Sequence, residues 1–166
     1  QAPAPQRADI LFKAHRIMQN RFDELAESIT LEEGKCIGDA EAEVKRSLAV
    51  IEFMAGEGRR MHGYTAPSET QGTLDYTYRR PLGVVSVITP WNFPLAIPAW
   101  KIAPALAMGN CVIAKPSEIT PYTAYLFSKV CIEAKLPAGT LNILHGNGAT
   151  IGREIVRHEK IKAISF

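Results

Sequence analysis

Gly83-Val84-Val85-Ser86-Val87-Ile88, followed by Cys111-Val112-Ile113-Ala114, is the stretch that decides the fold. Neither run alternates apolar with polar residues, as a strand with one wet face would. Between them, residues 94–108 read as a helix despite Pro98 and Pro104, which predict a bend or a late start. Downstream the same order repeats. Thr120-Pro121 offers an N-cap and an N1 proline for a helix over 121–135. Leu141-Asn142-Ile143-Leu144 reads as a third strand, residues 149–158 as a third helix, and Ile161 to Phe166 as a fourth strand. Apolar strands alternating with helices predict a parallel sheet with helices on both faces and right-handed crossovers. Charge agrees: between Arg80 and Arg153 the only charged residues are Lys101, Lys115, Glu118, Lys129, Glu133 and Lys135, which predicts a largely buried segment.

Upstream the character changes. Ile10, Ala14, Ile17, Met18, Phe22, Leu25 and Ile29 recur at helical steps among charges, so residues 6–32 read as one helix, with Gly34 as its C-cap. Val44, Leu48, Ile51 and Met54 mark a second helix over 39–60, loosened at its end by Gly56 and Gly58. These helices read as a scaffold layer. Residues 63–72 are turn-rich, and Thr73 to Arg79 alternates with Leu74, Tyr76 and Tyr78 on one face. That strand is either an arm that pairs with another subunit or domain, or a plain surface hairpin. The expected division is therefore a helical part over 1–62, a β arm over 63–80 and an α/β part over 81–166.

Composition narrows the function. The chain has 166 residues, 46% hydrophobic and 22% charged, which suits one globular domain. A net charge of +2 is too balanced for nucleic-acid binding by electrostatics. No apolar run approaches the roughly 20 residues that span a bilayer, and Gln1 to Gln6 lacks the features of a secretory signal. Cys36, Cys111 and Cys131 are an odd number without CxxC spacing, so reduced thiols and a cytoplasmic location are expected. His15, His62, His145 and His158 show no metal-ligand spacing, and no metal site is expected. The chain ends on a strand, where an α/β fold would continue into a ligand-binding loop, so it is expected to be a piece of a longer protein.

Ligands of open α/β sheets lie beyond the carboxyl ends of the strands. After the first strand comes Thr89-Pro90-Trp91-Asn92-Phe93-Pro94, a stiff loop. Asn92 can donate its amide N–H groups to a developing oxyanion, or it can form an Asx turn capping the next helix. After the second strand comes Lys115-Pro116-Ser117-Glu118. Its ammonium and carboxylate can hold ribose hydroxyls, or simply each other. After the third comes His145-Gly146-Asn147-Gly148-Ala149-Thr150-Ile151-Gly152, spaced GxGxxxG rather than GxGxxG, where backbone can approach a flat or phosphorylated ligand.

Pro81-Leu82-Gly83-Val84-Val85, Thr89 to Pro94, Ala99 to Asn110 and Lys115 to Glu118 together resemble the NAD(P)-dependent aldehyde dehydrogenase superfamily. Leu136 to Asn142, Ala163 to Phe166 and Glu32-Glu33-Gly34-Lys35 look like it too, so the resemblance runs from about residue 7 to the end. Ala96 to Pro104 looks most like the branch that oxidises 2-oxoglutarate semialdehyde (2,5-dioxopentanoate). The resemblance implies an incomplete Rossmann-like parallel sheet with an N-terminal helical layer and a β arm of oligomerisation type, and a homodimer or homotetramer for the full-length protein. It implies oxidation of an aldehyde to an acid with NAD or NADP through a cysteine thiohemiacetal. Asn92 corresponds to the oxyanion donor, with Lys101 in a supporting role. Ile88, Thr89, Pro90 and Trp91 match the segment lining the cofactor. Lys115, Ser117 and Glu118 match the adenosine-ribose loop, and Gly148 and Gly152 the positions against adenine. Glu118 would repel a 2′-phosphate, which favours NAD. The nucleophilic cysteine and the general-base glutamate would lie beyond Phe166, so the segment alone is expected to be inactive. A non-catalytic cofactor-binding or assembly relative, and an enzyme that passes the acyl group to coenzyme A, are the alternative readings.

Overall fold

The computed structural model describes residues 2–166. Three helices come first: α1 (Ala4–Asn20), α2 (Phe22–Glu33) and α3 (Ile37–Glu57). The single helix expected over 6–32 is broken at Arg21, whose φ of −109° and ψ of 25° leave the helical region. The Arg21 amide closes α1 on the Ile17 and Met18 carbonyls, while its own carbonyl accepts from the Leu25 amide. Met18, Leu25 and Ile29 stay buried across the break, so helical spacing is unbroken and the kink leaves no mark in periodicity. The break lets α1 pack on α3, α4 and α5 while α2 turns to meet α3 and α5. Gly34 ends α2 in the left-handed conformation, at φ 93°, where a side chain would be strained.

A two-stranded antiparallel hairpin follows, β1 (Thr65–Pro67) with β2 (Leu74–Tyr76). The arm strand expected over Thr73–Arg79 is thus shorter, and part of the turn-rich 63–72 segment is its partner. Three-residue strands with Gly and Pro alongside carry too little alternation to be read as a pair.

The rest is the α/β unit: β3 (Val84–Ile88), α4 (Ala96–Ala107), β4 (Cys111–Lys115), α5 (Pro121–Glu133), β5 (Leu141–Ile143), α6 (Arg153–Arg157) and β6 (Ile161–Ser165). The strands form one parallel sheet in the order β5-β4-β3-β6. Central β3 and β4 bury Val85, Val87 and Val112 against Ile102 of α4 and Val130 of α5, as runs covered on both faces should. Pro98 lies in the first turn of α4, where its missing N–H is no loss, and the helix starts two residues later than expected.

Two details differ from the sequence reading. Thr120 makes no side-chain cap for α5, and its buried hydroxyl has no partner. The Glu32 carboxylate at the end of α2 accepts from the Tyr122 and Thr123 amides instead, at 2.7 and 2.9 Å. The helix expected over 149–158 is a π-helical turn, Gly148–Gly152, leading into the short α6. The Asn147 side chain opens that turn by accepting from the Ala149 amide at 2.7 Å. Among the described residues no helix is long and apolar enough to cross a membrane.

Candidate functional site

Parallel pairing places the carboxyl ends of all four strands on one edge. Ile88 and Lys115 are register partners, and the Thr89 amide donates to the Lys115 carbonyl at 3.2 Å, so the loops after β3 and β4 leave side by side. A cleft of about 300 Å³ opens there, lined by Ile88, Lys115, Gly148, Gly152, Ile164 and Phe166. A Cβ built on Gly148 or Gly152 would meet nothing within 4 Å, so bare backbone faces the cleft at both positions.

Lys115 is buried, and its ammonium donates to the Pro116 carbonyl at 3.0 Å and to the Glu118 carboxylate at 3.2 Å. Glu118 is half exposed. Its own amide, the Lys115 ammonium and the nearby Gly148 amide all favour the charged form and hold its carboxyl below the usual carboxylate range. The Lys115–Glu118 pair closes the loop after β4 on itself. Ser117 is turned inward, its hydroxyl accepting from the Ile119 amide at 3.2 Å. Of the residues expected at the cofactor, Ile88, Lys115, Gly148 and Gly152 line the cleft. Thr89 is buried beneath it, and Pro90 and Trp91 are exposed on the loop that leads away.

Asn92 is exposed in that loop. An Asx turn needs an amide two residues on, and position 94 is a proline without one. The next amides, Leu95 and Ala96, already donate to the Glu43 carboxylate at 2.8 and 3.0 Å. The capping alternative for Asn92 thus has no local donor. Lys101 of α4 donates to the Ser165 hydroxyl at 2.9 Å, which joins α4 to the carboxyl end of β6 on the same edge.

The cleft offers apolar walls and bare backbone for a flat ring, with one donor and one acceptor beside it for vicinal hydroxyls. That set fits the adenosine half of a dinucleotide. The model of the aldehyde dehydrogenase family matches residues 1–166. The chain belongs to the aldehyde dehydrogenase family.

Among family members, it is 44% identical over 164 residues to a 2,5-dioxopentanoate dehydrogenase of Saccharolobus solfataricus, covering 99% of this chain and 34% of the relative. It is equally 44% identical over 164 residues to malonate-semialdehyde dehydrogenase 2 of Geobacillus thermodenitrificans, with the same coverage of each. It superposes with a TM-score of 0.95 on a solved NAD-dependent benzaldehyde dehydrogenase from Corynebacterium glutamicum, at 36% identity, covering 99% of this chain and 36% of that one. NAD- and NADP-dependent enzymes are both among the solved structures it matches. The chain spans about a third of the length of the curated relatives it matches.

Sequence reading of the strand-end loops missed Lys35 and Glu43, which grip the loop of Asn92 from the helical layer. The Lys35 ammonium donates to the Asn92 carbonyl at 2.8 Å and to Glu43 at 2.7 Å. The signal available was an acid on the buried face of α3: Glu43 is one helical step from Ala40 and from Ser47, both buried. Among the described residues no group of three or more His, Cys, Asp or Glu side chains could hold a metal ion.

Proposed function

We propose that the protein containing this chain oxidises an aldehyde to a carboxylic acid with NAD or NADP, and that residues 81–166 supply its cofactor cleft and one oxyanion donor. The observation that supports this reading is the grouping of loops on one sheet edge: the loop after β3 carries an Asn92 without a local capping role, and the loops after β4 and β5 bring Lys115, paired with Glu118, to a cleft it lines with Gly148 and Gly152. Lys115 and Glu118 hold the adenosine ribose, and Gly148 and Gly152 give the adenine a flat approach. Ile88 lines the path along β3, with Thr89, Pro90, Trp91 and Ser117 shaping the loops around it. When bound, the nicotinamide takes up the two electrons and the hydrogen that leave the aldehyde carbon. Asn92 stabilises the negative charge on the aldehyde oxygen, and Lys101 supports the α4 to β6 junction nearby.

Cys111 begins β4 at the amino edge of the sheet, Cys131 is buried, and the Cys36 thiol faces Asp39 at 3.2 Å. We read none of them as the nucleophile and assign the attacking thiol and the base to another part of the protein, with residues 1–166 alone inactive. Free thiols also suit a cytoplasmic location. The equal likeness to two kinds of semialdehyde dehydrogenase supports a semialdehyde substrate, including 2-oxoglutarate semialdehyde. The β1–β2 hairpin serves as an assembly arm of a homodimer or homotetramer, a reading supported by exposed Leu74, Tyr76 and Tyr78.

The deciding experiment replaces Asn92→Ala in the complete protein. Removal of one oxyanion donor costs roughly 3–4 kcal/mol, so kcat for acid formation should fall by about 10²–10³-fold while NAD affinity stays unchanged. An unaltered kcat removes Asn92 from the mechanism.

A further inference from the structure

Two side chains from the helical layer reach the oxyanion loop, and neither touches the cofactor cleft. The Glu43 carboxylate is fully enclosed, with 0% of its side chain exposed. One of its oxygens accepts from the Leu95 and Ala96 amides, the first donors of α4. The other accepts from Lys35. A carboxylate stripped of water persists only where its charge and lone pairs are matched, and here they are. Lys35 is only 13% exposed. Besides Glu43, its ammonium holds the Asn92 carbonyl, lies 4.3 Å from the centroid of the Phe93 ring, and has the Glu33 carboxylate 3.8 Å away.

The loop needs such outside help. Pro90 and Pro94 have no N–H, so the backbone around Asn92 is short of the donors that normally close a turn. Lys35 supplies a donor at residue 92, and Glu43 supplies an acceptor at residues 95 and 96. The backbone on both sides of Phe93 is thereby tied to one buried ion pair.

We propose that Lys35 and Glu43 are positioning residues for Asn92: they fix the backbone from 92 to 96 and so aim the Asn92 carboxamide at the reacting oxygen. This rests on the aldehyde-oxidising reading above. Neither side chain touches substrate; each acts through the loop.

The test is a double-mutant cycle in the complete enzyme, with kcat expressed per titrated active site. Lys35→Met should lower kcat about 10–100-fold, the scale of a displacement near 1 Å at a reacting group. The NAD Kd should stay within twofold. Lys35→Arg should recover most of the loss, because a guanidinium can also bridge two oxygens. In an Asn92→Ala background, Lys35→Met should cost nothing further, since the group it aims is gone. Equal losses in both backgrounds, or a Lys35→Met kcat within twofold of the parent, would overturn the proposal. If Lys35→Met does not fold, Glu43→Gln enters the same cycle. It keeps an oxygen for the two amides but turns an NH₂ toward Lys35, and it should show the same dependence on Asn92. If the parent oxidises no aldehyde, the functional reading fails by itself, and amide hydrogen exchange still judges the anchor. Leu95 and Ala96 should exchange at least about tenfold faster in Lys35→Met at unchanged global stability, and unchanged exchange there refutes it.

Discussion

The Cys131 thiol is buried inside α5, and that burial pushes its pKa up to about 12 from an ordinary 9.0. A thiol held protonated when folded stabilises the fold fully below the unfolded pKa. That contribution is lost as pH climbs from about 9 toward 12, at about 1.4 kcal/mol per pH unit. Urea midpoints should therefore fall between pH 8 and pH 10, and less steeply in Cys131→Ala. A thiol reagent at pH 8 should modify the exposed Cys36 and Cys111 in the native protein, and Cys131 only after unfolding. Early labelling of all three would contradict this burial. Cys131 falls within the helix expected over 121–135, and the structure buries it there. The pairing of Glu118 with Lys115 was legible from their three-residue spacing, whereas the cleft that brings Lys115 to Gly148 and Gly152 joins residues more than thirty apart in sequence.

At the scale of elements, the central strands β3 and β4 were readable because they are largely buried and so carry near-continuous apolar runs, whereas the edge strands β5 and β6 leave Asn142 and Lys162 exposed. Ends and breaks were harder, for the same reason in each case: the deciding partner is remote. Thr120-Pro121 marks the start of α5 correctly, yet the acceptor for its first amides is Glu32, some 90 residues earlier. Glu32→Ala should lower stability by about 1 kcal/mol, the usual worth of an N-terminal cap, read as a shift in urea midpoint with the slope unchanged. Glu32→Gln should fall between Glu32→Ala and the parent, because an amide oxygen still accepts but carries no charge toward the helix dipole. A midpoint that ignores both substitutions would make the Glu32 contact energetically idle. The break at Arg21 and the π-helical turn at Gly148 were hidden differently. In the first, helical spacing continues through the kink; in the second, Gly146, with φ 150° and Ile151 packed where a Cβ would stand, forces a wide turn that a helical pattern does not encode.

Across the whole molecule, the helical layer, the hairpin and the sheet have different dependence on neighbours. α3 is tied to α1, α2 and α4, whereas β1 and β2 pair chiefly with each other and have every residue exposed. If the hairpin is the proposed assembly arm, Leu74→Ser with Tyr76→Ser should shift the complete protein toward a smaller species in sedimentation without changing its secondary structure. Unchanged mass would assign those side chains to the surface. The loop–helix anchor has a further consequence for biogenesis. Synthesis runs from the amino terminus, so the acid at 43 leaves the ribosome 52 residues ahead of the first amide it receives. Until that amide emerges the carboxylate has only water and Lys35 for company, and α3 cannot complete its burial. The scaffold and the Asn92 loop must therefore mature together, and a nascent chain arrested before residue 95 would hold neither in final form.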